Sequence, residues 1–152
     1  MTDRPQKAED LFKQGYNCCQ AVIGAYADEL ELDNETALKL ASSFGGGMGR
    51  LREVCGAVTA MFMIAGIKYD GDILDTKVKE EHYKLVQSLA KKFKEQNGLI
   101  ICRELLKLMA DEKAQAPELR TETYYKVRPC IKLVKSAAEI TDEFLKQKTE
   151  NT

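Results

Sequence analysis

The sequence has no strong excess of either charge, since its 23 Lys and Arg face 24 Asp and Glu. With neither a basic stripe nor an acidic tail, nothing in it favours a nucleic-acid partner or a cationic partner. The longest nearly uninterrupted apolar stretch, residues 57–67, is shorter than the roughly 20 residues that cross a bilayer, so we expect no membrane span. The charged N-terminus lacks the apolar segment of a signal peptide, which predicts a cytoplasmic protein.

The sequence also lacks convincing β-strand alternation, internal repeats and low-complexity tracts. Apolar residues instead recur at helical spacing in most segments. Hydrophobic residues make up 44% of the 152, which is enough for a single domain with a real core. These patterns predict an all-α domain over residues 1–152, a bundle of roughly six helices.

Capping and breaking residues predict where the helices begin and end. Asn17 is a good N-cap for a helix that starts at Cys18. The glycines of FGGGMGR interrupt the chain before a helix over roughly 53–67, apolar nearly all round and therefore predicted to be central and buried. A long amphipathic helix over roughly 73–96 ends at Asn97-Gly98. The remaining predictions are a helix ending at Phe12, one capped by Asp33-Asn34, one over 101–109, an irregular loop over 111–128, and a final helix with Pro129 at its first position.

Four of the five cysteines lie where a helix is predicted to begin: Cys18, Cys55, Cys102 and Cys130. The unpaired N–H groups of a helix N-terminus favour thiolate over thiol. In a reducing compartment, a group of cysteines indicates metal binding or catalysis before structural disulfides, and the odd count agrees. No C-x-x-C pair is present, so the zinc-finger and thioredoxin-type signatures are missing. The competing interpretation is that these cysteines are small hydrophobic residues of the core.

The segments GYNCCQAV, ALKLASSFGGGMGRLREVCGAVTA, FKEQNGLIICRELL and RPCIKLV, in that order, resemble the C_GCAxxG_C_C family of four-cysteine proteins, which are regarded as redox-active. The resemblance runs from Leu11 to Ala138 and is most specific where FGGGMGR leads into Cys55-Gly56-Ala57. It departs at two positions: Ala60 replaces the last glycine of the motif, and Cys19 is an extra thiol. Helical spacing does not decide between Cys18 and Cys19. The resemblance selects Cys18, and it implies a redox site of Cys18, Cys55, Cys102 and Cys130.

Several mechanisms stay open for these four thiols. They would ligate an iron–sulfur cluster that passes electrons, because four cysteines are its standard ligand set. Alternatively, pairs would cycle between dithiol and disulfide, with Cys18 or Cys130 as the attacking thiol. A structural zinc site is a weaker option, because its ligands usually come in close sequence pairs. The prediction is redox chemistry with a partner protein or a small-molecule substrate. The sequence leaves open whether the protein is an enzyme of the oxidoreductase class.

The glycine-rich loop has two interpretations. Its free N–H groups beside Arg50 and Arg52 are compatible with phosphate binding, but the Lys-Ser/Thr ending of a P-loop is missing and no strand precedes it. A tight turn into the Cys55 helix is favoured. In a functional variant of that turn, four glycines let the backbone approach a cofactor or substrate closely: Gly45, Gly46, Gly47 and Gly56.

An alternative of a different class is a non-enzymatic binding module. Its cysteines would hold a metal or fill the core, while a cavity beside FGGGMGR would bind a small ligand or a partner. The apolar central helix also fits the interface of a homodimer. His82, the only histidine, is interpreted as a partly buried, hydrogen-bonded residue rather than a metal ligand or proton donor.

Overall fold

A computed structural model describes residues 2–106 and 130–150 of the chain. The elements in these ranges are α1 (Arg4–Lys13), α2 (Cys18–Tyr26), α3 (Asn34–Ala41), α4 (Gly45–Met48), α5 (Gly56–Lys68), α6 (Thr76–Asn97), α7 (Cys102–Leu105) and α8 (Cys130–Glu150). The same ranges contain no strand, only an isolated antiparallel bridge between Val54 and Ile101. The all-α prediction is therefore confirmed. That residues 1–152 form one domain stays a prediction.

Side-chain caps begin several of these helices at the predicted positions. The Asn17 side chain accepts the N–H of Gln20, and the Gln20 side chain accepts the N–H of Asn17, which is a complete capping box for α2. Asp33 accepts the N–H of Thr36 at the start of α3. At the far end of α6, the Gly98 N–H bonds to the Lys94 carbonyl. Local sequence is enough to set these ends, because each cap uses only neighbouring residues.

Two helices begin later than predicted. The central helix starts at Gly56, because the Val54–Ile101 bridge keeps the preceding backbone extended and leaves Cys55 as N-cap. The long helix starts at Thr76, because the Asp75 side chain caps the N–H groups that follow it. The predicted loop over 111–128, the end of the 101–109 helix and Pro129 lie outside the described residues.

A left-handed turn separates α3 from α5. Gly46 and Gly47 have φ of 67° and 69°, and Met48, Gly49, Arg50 and Arg52 also have positive φ. The turn folds back on itself, since the Arg52 N–H bonds to the Gly46 carbonyl at 3.2 Å and the Glu53 N–H to the Gly47 carbonyl at 2.9 Å. FGGGMGR therefore breaks the helix as predicted, because glycine adopts this left-handed backbone without the cost that a side chain adds.

Helix α5 lies at the centre and packs against α2, α6 and α8. Most of its residues from Gly56 to Ala65 are buried, which confirms the prediction of a central buried helix. Helix α2 is buried along most of its length and also packs against α1 and α3. Among the described helices, none combines the length and apolar character that crossing a bilayer would need. This arrangement brings the N-termini of α2 and α5 together inside the protein.

Tyr26, at the end of α2, links three helices. Its hydroxyl lies 2.6 Å from both the Ala138 carbonyl and an Asp142 carboxylate oxygen of α8, and its side chain is fully buried. Arg4 of α1 lies 5.4 Å from the ring centroid and pairs with Asp28 at 2.7 Å. Burial raises the pKa of the Tyr26 hydroxyl, and the Asp142 hydrogen bond adds to the effect. The hydroxyl therefore stays protonated and donates to α8.

Removing this hydroxyl should weaken the bundle. We expect Tyr26→Phe to lower the free energy of unfolding by about 1–2 kcal/mol, because the buried carbonyl loses its donor. Urea unfolding of the purified protein measures the change. Tyr83→Phe is the matched control, because Tyr83 is 55% exposed. Equal effects of the two substitutions would contradict the role assigned to Tyr26.

Candidate thiol site

Cys18 and Cys55 meet where α2 and α5 begin. Cys18 is the first residue of α2, and Cys55 is the N-cap of α5. The two thiols perturb each other's pKa, and a hydrogen bond between their side chains is the largest cause for each. Both side chains are buried, with 9% of Cys18 and 4% of Cys55 exposed. Two of the four predicted cysteines thus form a contacting pair, although 36 residues of chain lie between them in the sequence (positions 19–54).

The surroundings of Cys18 favour its thiolate. The hydrogen bond from Cys55 is the largest cause, and backbone N–H groups of Gly46, Gly56 and Cys19 add to it. Burial opposes these bonds, because it penalises the charged form. The net result lowers the pKa of Cys18 to about 6. At neutral pH, Cys18 is therefore mainly a thiolate.

Cys55 has the opposite shift. A hydrogen bond to Cys18, burial and the adjacent negative charge together raise the pKa of Cys55 well above its ordinary value. The pair therefore holds one proton and one negative charge at neutral pH, in the manner of two interacting acids that share a site. Cys18 carries the charge because the backbone N–H groups point at its sulfur.

Glycines make this close approach to sulfur feasible. A Cβ atom at Gly56 would lie 2.6 Å from the Cys18 sulfur and 2.7 Å from the Phe44 carbonyl oxygen. A Cβ atom at Gly47 would lie 2.6 Å from the Cys102 Cβ. Gly46 supplies an N–H to Cys18, and Gly45 lies against Asn17. The structure thus places Gly46 and Gly56 at Cys18, and Gly47 at Cys102. That these glycines bind a cofactor stays a prediction.

Cys102 lies beside the segment that leads into Cys55. Its N–H bonds to the Glu53 carbonyl at 2.6 Å, and the Cys55 N–H bonds to the Ile100 carbonyl at 2.8 Å. These two bonds flank the Val54–Ile101 bridge in the antiparallel pattern, which fixes the start of α7 against the start of α5. The Cys102 side chain is 6% exposed, and Nη1 of Arg52 lies 3.7 Å from its sulfur.

Cys130, the first residue of α8, is half-buried against the core. Across residues 2–106 and 130–150, no three His, Cys, Asp or Glu side chains form a group that could hold a metal ion. The five cysteines, which all lie in these ranges, form no disulfide with one another. In the described residues the structure brings Cys18 and Cys55 together, whereas an iron–sulfur or zinc centre on all four cysteines stays a prediction. That all four cysteines act together stays a prediction.

Cys19 and His82 occupy other surroundings. Cys19 is fully buried in the core, and burial, followed by the charge of Cys18, raises the pKa of its thiol. It is therefore a poor candidate for the reactive thiol at neutral pH. The His82 ring lies 4.7 Å from that of Tyr69. His82 is partly buried as predicted, but its Nδ1 has no hydrogen-bond partner among the described residues, which differs from the expectation.

Sequence reasoning missed the position of Arg52. It is 8% exposed, with its guanidinium directed at Cys102, whereas the sequence suggested only an arginine near a glycine-rich loop. Its burial depends on the left-handed turn and on α7, which come from distant parts of the chain. The one signal in the sequence was its place three residues before Cys55, in the segment LREVC.

The proton shared by the pair sets the pH dependence of Cys18. We expect alkylation of Cys18 to rise with pH and reach half its maximum near pH 6, because the thiolate is the reactive form. Iodoacetamide labelling, read for each cysteine by mass spectrometry, measures this profile. Cys55→Ala removes the largest stabilising bond and should shift the profile to higher pH. Cys19→Ala is the control and should leave it in place, and an unshifted Cys55→Ala profile would contradict the pairing.

The contact at Gly56 should tolerate no side chain. We expect Gly56→Ala to lower the free energy of unfolding by about 1–3 kcal/mol, because its methyl group would overlap the Cys18 sulfur. Gly66→Ala, in the same helix, would place its methyl group where no described atom lies within 4 Å, and should instead raise that free energy by about 0.5–1 kcal/mol. Chemical denaturation compares the two. Similar effects at both positions would show that Cys18 does not lie against Gly56.

One comparison with known proteins gives a match. The model of a family described as "Putative redox-active protein (C_GCAxxG_C_C)" matches residues 16–144. The match covers most of the chain and includes all five cysteines. No curated protein and no solved structure matches the chain.

Proposed function

The chain belongs to the C_GCAxxG_C_C family of redox-active proteins, and on that premise we propose that it carries out thiol–disulfide exchange. In this proposal Cys18 is the attacking thiol and Cys55 the resolving thiol. One observation carries it: Cys18 and Cys55 lie at the starts of two packed helices, with the Cys18 sulfur against Gly56, and Cys55 is the largest cause of the lowered pKa of Cys18. An attacking thiol works best when its pKa is close to the ambient pH. The pKa of Cys18, about 6, meets this condition.

The exchange needs a disulfide as co-substrate. The Cys18 thiolate attacks one sulfur of the disulfide, so that a mixed disulfide with Cys18 forms and the other half leaves as a thiolate. Cys55 then gives its proton to the thiolate that has just left, and its own thiolate attacks the Cys18 sulfur. A disulfide between Cys18 and Cys55 forms, and the second half of the substrate leaves. In total, one protein thiolate and one protein thiol are oxidised to a disulfide, and one substrate disulfide is reduced to one thiol and one thiolate.

The pair switches its own reactivity between the two steps. Cys55 is a poor nucleophile at first, because its hydrogen bond to Cys18, its burial and the charge of Cys18 raise the pKa of Cys55. Once Cys18 is part of a mixed disulfide, its negative charge is gone, and of these causes only burial remains. Cys55 then loses its proton more readily, at the moment when the resolving step requires a thiolate. This order favours Cys18 as the first attacker.

The substrate is a disulfide of a small molecule or of a partner protein. Cys18 is only 9% exposed, so a slender disulfide or an extended peptide segment suits the site better than a bulky surface. Because the exchange needs reduced thiols at the start, it fits a reducing compartment such as the cytoplasm. The apolar sequence of α5 suggested a homodimer interface, but most of α5 is buried within the chain itself. Formation of a homodimer stays a prediction.

Trapping the mixed disulfide tests the proposal. The reduced protein is mixed with oxidised glutathione, and the products are mapped by mass spectrometry. Wild type should form a Cys18–Cys55 disulfide. Cys55→Ser should accumulate glutathione on Cys18, because the serine hydroxyl still donates to the thiolate but is unable to resolve the adduct. Cys18→Ser should form neither product, and Cys19→Ala should behave as wild type.

Two outcomes would contradict thiol–disulfide exchange. One is that the Cys18–Cys55 disulfide never forms while both thiols stay reduced. The other is that protein purified without oxygen contains stoichiometric iron and sulfide, which would favour the cluster mechanism over exchange. Metal and sulfide analysis of the same preparation, together with its visible spectrum, distinguishes the two.

A further inference from the structure

A buried cation lies three residues before Cys55 in the sequence and contacts Cys102. Arg52 is 8% exposed, and its Nη1 lies 3.7 Å from the Cys102 sulfur. Its Nε is also buried and has no hydrogen-bond partner among the described residues. A guanidinium is charged at every pH at which the protein is folded, so burying it without a negative partner is strongly unfavourable.

Cys102 is the group that can supply that negative charge. Among residues 2–106 and 130–150, no carboxylate forms an ion pair with Arg52. The Cys102 thiol is the described side chain that its guanidinium contacts, and a thiolate is a far better acceptor for a cation than a thiol is. Among the described residues, an ionised Cys102 sulfur is the contact that would offset the cost of burying Arg52.

The backbone holds both residues in place. The Arg52 N–H bonds to the Gly46 carbonyl at 3.2 Å, and its own carbonyl accepts the Arg103 N–H at 3.1 Å. Its left-handed backbone, with φ of 63°, turns the chain so that these bonds form on both sides of the residue. Gly47 leaves room for the Cys102 Cβ. The contact between guanidinium and sulfur is therefore built into the turn and does not depend on a freely moving side chain.

We propose that Arg52 is a positioning residue that holds Cys102 as a second thiolate of the site. Cys18 and Cys102 are then two separate nucleophiles, one stabilised by hydrogen bonds and the other by an ion pair. The Cys102 thiolate attacks a substrate disulfide in the same way as Cys18 does, forming a mixed disulfide and releasing one thiolate. That reaction rests on the proposed function, whereas the ion pair with Arg52 does not.

Residue-resolved alkylation tests the ion pair. In wild type, iodoacetamide labelling of Cys102 should reach half its maximal rate at a lower pH than that of an ordinary cysteine, about 8.5. Arg52→Gln should slow labelling of Cys102 at pH 7 by about tenfold or more, because each unit of lost thiolate stabilisation is a tenfold loss of thiolate. Arg52→Lys keeps the positive charge and should retain most of the rate. Arg103→Gln is the matched control, since the Arg103 side chain contacts the Leu51 carbonyl and no described cysteine.

The same data separate this inference from the proposed exchange. Slower labelling of Cys102 in Arg52→Gln, with Cys18 unchanged, supports the ion pair. An unchanged rate for Cys102 would overturn it. A change in the rate for Cys102 that is matched by an equal change for Cys18 would also overturn it, because a loosened turn affects both sulfurs alike. If Arg52→Gln fails to fold, the wild-type profile decides. A half-maximum for Cys102 at or above the ordinary cysteine value of about 8.5 then overturns the inference. A failure of the exchange itself appears at Cys18 and Cys55 in the glutathione experiment.

Discussion

The close approach of backbone N–H groups to the Cys18 sulfur is the constraint on which the site depends. The N–H groups of Gly46, Gly56 and Cys19 and the thiol of Cys55 converge on this one buried atom. Burial by itself would favour the neutral thiol, so the thiolate persists only while these donors stay within hydrogen-bond reach. A methyl group at Gly56 would already displace the sulfur. The left-handed turn, the start of α5 and the packing of α2 on α5 are all needed to keep that geometry.

The rest of the fold holds these donors at fixed positions. The capping box of Asn17 and Gln20 sets the first turn of α2 and so the place of Cys18. The bridge between Val54 and Ile101 holds Cys55 at the N-cap of α5 and brings α7 alongside. At the other end of α2, Tyr26 joins that helix to α8 through its hydroxyl. Because α2 is held at both ends, it lacks the freedom to carry Cys18 away from its partners.

Local signals in the sequence predict the helices well and the first residues of those helices less well. Asn17, Asp33 and Gly98 cap as predicted, because a cap is decided by residues a few positions apart. The start of α5 was placed too early, since Val54 is held extended by Ile101, a residue 47 positions away. At the thiol site, the residue types were predicted and the pairing was not. Nothing in the spacing of the cysteines indicates that Cys55 donates to Cys18.

The sequence by itself determined the helical class, the glycine break before Cys55, the central helix and the set of cysteines that the family shares. These follow from periodicity, caps and motif residues, all of which act over short stretches of chain. Only the tertiary structure decided that Cys18 faces Cys55 while Cys19 faces the core, and that Arg52 is buried against Cys102. The reason is physical: a thiol's charge depends on which donors and cations reach its sulfur. In this protein those groups come from α2, α5, α7 and the left-handed turn, which are distant in sequence and meet only in the folded chain.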